Sequence, residues 1–336
     1  MKLVLHPGHS KCGSTSIQRA IIKNRLILEK SGYVIPDPQM RVRGDQGFNP
    51  NGETPRPFFR KVMESNDTSE LSVKLDRILS KKEFSDKTLL LSAENLVNQL
   101  KRPSGYNIHN VLKKYFSEVK VLYYIKPFDE FLLSAWQQWG YKKGKSFEGF
   151  VDEAIKVNNP SFKLAAEFFS YTYGRENLSI TIVKKEFLKD GSLLNDFFYK
   201  LDVPPGELDL KSSESNVSLS PALCELLSYS PGLFKDIHDE SVKGLLSSYL
   251  GRNSLIFEKM PGFVSKETSD KIAHSFGNDA RLICKNYMES ATPNDLLSSS
   301  TVTSEEGYDE VQMLKRQVAV QTELLISLMK TCSYKE

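Results

Sequence analysis

Short apolar runs alternate with helical patterns over the first two thirds of the chain. Lys2 to His6, Thr88 to Leu91, Val119 to Ile125 and Ser179 to Val183 each have the pattern of a short buried strand. Buried strands that alternate with helices are typical of a mainly parallel sheet. The pattern therefore predicts an α/β fold in which helices cover both faces of the sheet.

The predicted helices have apolar residues three and four positions apart. The first of them, Thr15 to Lys30, follows the first strand after a turn rich in glycine and serine. A stretch rich in proline, glycine, asparagine and arginine, Pro36 to Pro57, predicts a long irregular loop, and loops of this length are often functional. Further helices are predicted at Leu71 to Leu79, Val111 to Phe116, Asp129 to Trp139 and Leu193 to Leu201.

The C-terminal part of the chain has a different pattern. From about Pro221 it is mostly helical, and residues 291–307 form a polar stretch rich in serine and threonine. Tyr308 to Met329 then has the pattern of an amphipathic helix. We therefore predict an α/β domain over residues 1–290 that is helical from about residue 221, a linker over 291–307 and an appended helix over 308–332.

The appended helix carries a row of apolar residues at heptad spacing that is interrupted by Gln321. So short a repeat is consistent with a helix docked on the domain and equally with a coiled coil, which would make a homo-oligomer. The row consists of Val311, Leu314, Val318, Leu325 and Leu328.

Composition and charge narrow the function only slightly. Of 336 residues, 40% are hydrophobic and 26% are charged, as in an ordinary globular protein with a sizeable core. The net charge of +3 lacks the strong basic excess of a nucleic-acid-binding protein, so no nucleic acid partner is expected. Four separated cysteines and five scattered histidines have no metal-ligand spacing, and we expect no metal.

The first residues, MKLVLH, form an apolar run that is too short for the core of a signal peptide. No later run reaches the length of a transmembrane helix. We therefore expect a cytoplasmic protein without a transmembrane segment.

The most informative segment is HPGHSKCGSTS, residues 6–16, which joins the first strand to the first helix. Such a loop presents backbone N–H groups at a helix N-terminus, where the helix dipole also favours an anion. Gly8 and Gly13 have the separation found in the GxxxxGK[ST] loop of kinases and ATPases, but Ser14 replaces its lysine. The only lysine of the loop is Lys11, which disfavours ATP or GTP hydrolysis.

A lysine followed by Cys-Gly-Ser-Thr-Ser resembles the 5′-phosphosulfate loop of the sulfotransferase family, K-[TA]-G-[TS]-[TS]-[ST]. The bacterial carbohydrate-type members, with a His-Lys-Thr-Gly-Thr-Thr-Ser pattern, are most similar, although this chain has Ser10 before the lysine. The resemblance implies a P-loop-type fold and 3′-phosphoadenosine-5′-phosphosulfate as the sulfuryl donor. It implies that the donor is bound by Lys11, Cys12, Gly13, Ser14, Thr15 and Ser16. Cys12 would serve as a small filler or, beside the lysine, as a reactive thiol.

A second segment carries the same resemblance. In sulfotransferases a strand like Val119 to Ile125 is followed by an arginine, and a serine eight positions later lies on the next helix, where the two bind the 3′-phosphate of the donor. Lys126 and Ser134 occupy these positions here. Lysine keeps the charge of arginine but lacks its bidentate fork. The similarity covers about residues 1–290.

The chemistry of this family requires a cation at the leaving phosphate and a base for the acceptor proton. The resemblance implies Lys11 as the cation, and we expect Glu94 to be the base. Glu94 follows a predicted strand, and reactive groups collect beyond the carboxyl ends of strands in open α/β sheets. A helix cap or an ion-paired carboxylate is the alternative role for Glu94, while His6 and His9 are alternative bases.

The acceptor is the least specified part of the prediction. Bacterial relatives of this type often act on polysaccharides, and the long loop contains charged and amide side chains that suit a sugar. Its candidate contacts are Arg41, Arg43 and Asp45, with His9 from the phosphate loop, although a solvated loop is the alternative. His109 is expected on the surface of a helix.

The predicted function is therefore transfer of a sulfuryl group to a hydroxyl or amine, with a saccharide as the expected acceptor. Two other classes stay open on the sequence. One is a P-loop kinase, which would need a magnesium-binding carboxylate at a strand end, and the other is a nucleotide-binding module without catalysis.

Overall fold

The computed structural model describes residues 1–98, 100, 102–210, 218–250, 253–299, 302–303 and 308–333. Contacts within the chain divide it into two compact units, and each unit is assembled from separate stretches of sequence. The first unit comprises Met1–Lys126, Ser161–Ser215 and Leu282–Ala291, and the second comprises Pro127–Pro160, Asn216–Arg281 and Thr292–Glu336.

The first unit contains a five-stranded sheet in which all pairs of neighbouring strands are parallel. Its strands are β1 (Lys2–His6), β2 (Tyr33–Val34), β3 (Thr88–Ser92), β4 (Val119–Ile125) and β5 (Leu178–Ile182). The order across the sheet is β2-β3-β1-β4-β5, so β1 lies at the centre. The predicted α/β fold with a parallel sheet is confirmed, whereas the two-residue edge strand β2 is too short to give a pattern in the sequence.

Helices make up most of the remaining regular structure. Those of the described residues are, in chain order, α1 (Ser14–Lys23), α2 (Arg25–Lys30), α3 (Arg56–Ser65), α4 (Ser69–Leu79), α5 (Asn95–Asn98), α6 (Pro103–Tyr115), α7 (Phe128–Ala135), α8 (Phe147–Lys156), α9 (Phe162–Tyr173), α10 (Leu193–Lys200), α11 (Pro221–Ser228), α12 (Ser241–Tyr249), α13 (Lys266–Tyr287), α14 (Pro293–Leu297) and α15 (Glu310–Ser333).

Helices bury the sheet on both of its faces. On one face, α1, α2 and α10 pack over Val4 of β1, Leu90 of β3 and Tyr124 of β4. Because side chains alternate along a strand, Tyr123 points to the opposite face, where its ring lies 5.7 Å from that of Phe169 on α9. The central strands are therefore apolar at nearly every position, as the sequence pattern indicates.

Two predicted helices differ from those of the structure. The single helix predicted from Thr15 to Lys30 is broken at Asn24, whose Nδ2 donates to Ala20 O and whose Oδ1 accepts from Asp209 N. Asparagine side chains compete with the backbone for hydrogen bonds in this way, which explains the break. The helix predicted from Asp129 to Trp139 is α-helical only as far as Ala135, where α7 ends. A single π-helical turn follows over Trp136–Gly140.

In the second unit, the buried carboxylate of Asp129 fixes the stretch that was predicted to be a linker. Asp129 accepts hydrogen bonds from Ser299 N at 2.7 Å, from Thr303 Oγ1 at 2.8 Å and from Ser298 Oγ at 3.1 Å. The same stretch contains the short helix α14, whose N-terminus has a capping box. The described part of residues 292–307 is therefore held by hydrogen bonds within the second unit.

The C-terminal helix α15 docks through one face onto other elements of the second unit. Val320 is buried, and Glu323 accepts hydrogen bonds from Ser254 Oγ and Leu255 N, both at 2.9 Å. Arg316 pairs with Glu258. The apolar heptad row lies on a different face and is exposed to solvent. Among the described residues, none of the helices combines the length and the hydropathy needed to cross a bilayer.

Candidate functional site

The strand order places a topological switch point at the carboxyl end of β1. The chain leaves β1 toward β2, on the side of β3, whereas it leaves β4 toward β5 on the other side. Where neighbouring parallel strands send their connections in opposite directions, a crevice opens at their carboxyl ends, and ligands of α/β proteins bind there. Residues 7–13, which follow β1 directly, lie at this switch point.

The loop between β1 and α1 turns sharply through three residues with left-handed backbone. Their φ angles are 59° at Gly8, 65° at Lys11 and 86° at Gly13. A left-handed conformation costs about 1–2 kcal/mol at a residue other than glycine, so Lys11 holds a strained conformation, and such residues cluster at ligand sites. Ser14 Oγ donates to His9 O at 2.7 Å and closes the turn.

In the part of the chain that the structure describes, the first turn of α1 has no side-chain cap on its N–H groups. The N-cap residue is Gly13, which has no side chain, and among the described residues no other side chain caps the helix. The N–H groups of the first turn of a helix have no carbonyl partner within the helix. Ser14, Thr15 and Ser16 therefore present donors at the end of the helix that favours anions.

Both glycines of the loop have close neighbours, and the overlap is severe at Gly13. A Cβ atom at Gly8 would lie 3.1 Å from Ser14 Oγ and 3.5 Å from Glu94 Cα. A Cβ atom at Gly13 would lie well under 3.0 Å from Leu193 Cδ2 on α10. The loop is therefore clamped between α10 and the segment that follows β3.

Glu94, the predicted base, lies beside the loop. It comes two residues after β3, and Ala93 N donates to His6 O at 3.1 Å, which joins this segment to the end of β1. Burial raises the pKa of the Glu94 carboxyl, while the positive charges of Arg56 and Lys11 partly offset that rise. The structure thus brings together the predicted cation and the predicted base.

Arg56 is a residue of this site that the sequence analysis did not identify. It is the first residue of α3, which packs against α5, the helix that begins directly after Glu94. Its side chain is exposed and makes no hydrogen bond or ion pair with the other described residues. A positive charge in the first turn of a helix is unfavourable with the helix dipole. This unusual placement is the sequence signal by which Arg56 could have been identified.

The two histidines near the loop are buried behind it. Nδ1 of His6 lies 2.7 Å from Ser92 Oγ, and Nδ1 of His9 lies 2.8 Å from Tyr123 Oη. Burial lowers the pKa of each histidine to about 3, so both are neutral near pH 7. Their contacts are those of core residues that support the loop.

The prediction that His109 lies on the surface is wrong. The side chain is fully buried, with Nδ1 2.7 Å from Tyr173 Oη and Nε2 2.7 Å from Leu96 O. Burial lowers the pKa of His109 to about 4. Because α9 covers this side of α6, a position that resembles a polar helix surface in the sequence lies inside the protein.

The remaining donor-site candidates lie in different places. Cys12 is fully buried, which favours the filler role over that of a reactive thiol. Lys126 follows β4 directly and is the last residue of the first unit's opening stretch, at the same edge of the sheet as the phosphate loop. Ser134 lies on α7 of the second unit and is partly buried. The pairing of Lys126 with Ser134 stays a prediction.

The three acceptor candidates of the long loop are engaged in contacts within the first unit. Arg41 pairs with the buried carboxylate of Asp37 at 2.9 Å, and Arg43 pairs with Glu29 at 2.6 Å. Asp45 is itself buried and pairs with Lys81 at 2.7 Å. These ion pairs order the loop, so the loop is neither a freely solvated segment nor a set of unengaged sugar contacts. At the C-terminal end of this loop, Arg56 lies near enough to Glu94 for its charge to lower the pKa of that carboxyl.

Comparisons with family models, with curated proteins and with solved structures found no match for this chain. The function is therefore inferred from the site itself.

Proposed function

We propose that this protein is a sulfotransferase that transfers a sulfuryl group from 3′-phosphoadenosine-5′-phosphosulfate to a hydroxyl or amine, with a saccharide as the acceptor. One observation carries the proposal. A strained, left-handed lysine, Lys11, lies inside an amide-rich loop at the switch point of a parallel sheet, beside the half-buried Glu94. On this proposal the fold is of the P-loop type.

The chemistry assigned to the loop is stabilisation of the leaving group. The phosphate–sulfate bridge would be held by the N–H groups of Ser14, Thr15 and Ser16, because they are the unpaired donors of a helix N-terminus. The bond from sulfur to the bridging oxygen breaks, and adenosine-3′,5′-bisphosphate leaves with an added negative charge. Lys11 neutralises that charge, and removing such a group typically costs about 2–4 kcal/mol of transition-state stabilisation.

Glu94 is assigned the proton of the acceptor. As the acceptor oxygen or nitrogen forms its bond to sulfur, its proton passes to the carboxylate. A carboxyl group whose pKa is raised toward neutrality is better matched to this task than an exposed one. In-line transfer of this type depends chiefly on positioning and on electrostatics.

The other parts of the proposal follow the sequence resemblance. Lys126 and Ser134 would hold the 3′-phosphate, and no metal is assigned a role. The cytoplasmic location is retained as part of the proposal.

Calorimetric titration tests donor binding. Adenosine-3′,5′-bisphosphate is expected to bind more tightly than ATP, and Lys11→Ala is expected to lose most of that affinity because the loop then lacks its cation. Lys30→Ala is the matched control, since Lys30 is an exposed lysine without an ion pair among the described residues. ATP binding as tight as that of the bisphosphate contradicts the proposal and favours a kinase.

Turnover distinguishes an enzyme from a non-catalytic module. With labelled donor and a panel of glycans, Glu94→Gln is expected to lower the rate of transfer while leaving bisphosphate affinity nearly unchanged. A protein that binds the bisphosphate but transfers nothing to any acceptor, with or without this substitution, would be a binding module.

A further inference from the structure

The C-terminal helix α15 presents an apolar row that nothing covers among the described residues. The exposed fractions are 57% for Val311, 52% for Leu314, 57% for Val318, 62% for Leu325 and 56% for Leu328. Together with Gln321, these positions alternate in steps of three and four, which is the a/d pattern of a coiled coil. The helix has 24 residues and is about 36 Å long, so the row runs along most of it.

The opposite side of the same helix is already occupied. Arg316 pairs with Glu258, and Glu323 accepts hydrogen bonds from Ser254 and Leu255. When Val311 and Leu314 are positions a and d, Arg316 and Glu323 are both at position f, which points directly away from the seam of a coiled coil. The body that holds α15 therefore leaves the seam accessible to a second helix.

We propose that α15 pairs with α15 of a second copy of this chain in a parallel, two-stranded coiled coil. The inference does not depend on the sulfotransferase proposal. A two-fold pair of identical helices places each row against itself, so every apolar residue of the row meets its own counterpart.

Gln321 favours the parallel arrangement. It occupies a d position in the middle of the row and is exposed. In a parallel pair in register, Gln321 meets Gln321 of the other copy, and the two amides hydrogen-bond each other. In an antiparallel pair it would face Val318 and be buried without a partner, which is unfavourable. A polar residue at one core position fixes the register in this way.

The charges beside the row are also complementary in the parallel pair. Glu310 precedes the first a position and is at position g, whereas Lys315 is at position e. Neither side chain makes an ion pair within the described part of the chain. A parallel two-stranded coil brings position g of one helix close to the next position e of the other, so Glu310 would pair with Lys315 of the second copy.

Sedimentation velocity on the full chain tests the pairing. A dimer is expected to form as the concentration rises toward about 100 μM. Leu325→Lys places a charge in the row and is expected to weaken dimerisation about a hundredfold. The matched control is Leu245→Lys on α12, because Leu245 is 59% exposed but lies outside the row, and this variant is expected to dimerise like the parent protein.

Cross-linking tests the orientation. Val311→Cys in a Cys332→Ser background is expected to form a disulfide between copies, because parallel pairing in register brings position 311 close to itself. In an antiparallel pair position 311 lies next to position 328 instead. A chain that is monomeric at the highest concentration, an assembly larger than a dimer, equal effects of Leu325→Lys and Leu245→Lys, or a dimer without the cross-link overturns the inference.

Discussion

A methyl group added at Gly13 tests how the phosphate loop is held. Gly13→Ala introduces two separate penalties, since the residue has a φ of 86° and its Cβ would overlap Leu193 Cδ2. Left-handed strain at alanine costs about 1–2 kcal/mol, and overpacking against a well-packed neighbour costs about 1–3 kcal/mol. We therefore expect Gly13→Ala to lower the free energy of unfolding by about 2–5 kcal/mol.

The substitution Gly32→Ala separates the cost of backbone strain from the cost of the steric overlap. Its φ is 89°, almost the same as that of Gly13, but a Cβ atom there would have no neighbour within 4 Å. Gly32→Ala should therefore show the backbone strain alone, about 1–2 kcal/mol. The difference between the two variants measures the overlap with Leu193.

Urea denaturation of the parent and variant proteins gives these free energies. A double-mutant cycle with Leu193→Ala is expected to show a favourable coupling of about 1–3 kcal/mol, because the truncated side chain makes room for the methyl group. If Gly13→Ala cost no more than Gly32→Ala, or if the double mutant were simply additive, the claim that α10 clamps the loop would be refuted.

Three further substitutions test the site and the second unit. Glu94→Gln is expected to stabilise the protein near pH 8 but not near pH 4. A carboxyl with a raised pKa contributes full stability below its unfolded pKa and loses it as the pH rises through its folded pKa, so urea midpoints at the two pH values check the sign. Asp129→Ala leaves donors such as Ser299 N–H unsatisfied, and thermal or urea unfolding should show a loss of about 2–4 kcal/mol. If Lys126 holds the 3′-phosphate as proposed, Lys126→Arg introduces a bidentate fork and should strengthen adenosine-3′,5′-bisphosphate binding severalfold in calorimetry, whereas Lys30→Arg should leave the affinity unchanged.

Much of the fold could be predicted because its strands are short, apolar and buried on both faces. The strands Lys2–His6 and Val119–Ile125 agree with the prediction residue for residue, since polar or turn-forming residues adjoin each run. The break at Asn24 could not be predicted, because it depends on a hydrogen bond with Asp209, far away in the sequence.

The candidate site was predictable only where one segment carries it. The phosphate loop is a contiguous motif, and Glu94 follows from its place after a strand. Arg56 reaches the same site only because α3 packs against α5, and its one local signal, an arginine in the first turn of a helix, does not indicate that contact. The sequence of residues 291–307 predicts a linker for a similar reason. The partner of its polar groups, the carboxylate of Asp129, lies far earlier in the chain and is not indicated by the local pattern.

The interleaving of the two units affects how the protein is made. During synthesis the chain emerges from its N-terminus, so β1 to β4 are complete before residues 127–160 of the other unit appear, and β5 emerges only afterwards. Until then, β4 is an unpaired edge, and exposed apolar edges are prone to aggregation. For the same reason neither unit can be produced by a single truncation, and a fragment that ends at Lys126 would lack the strand that protects this edge.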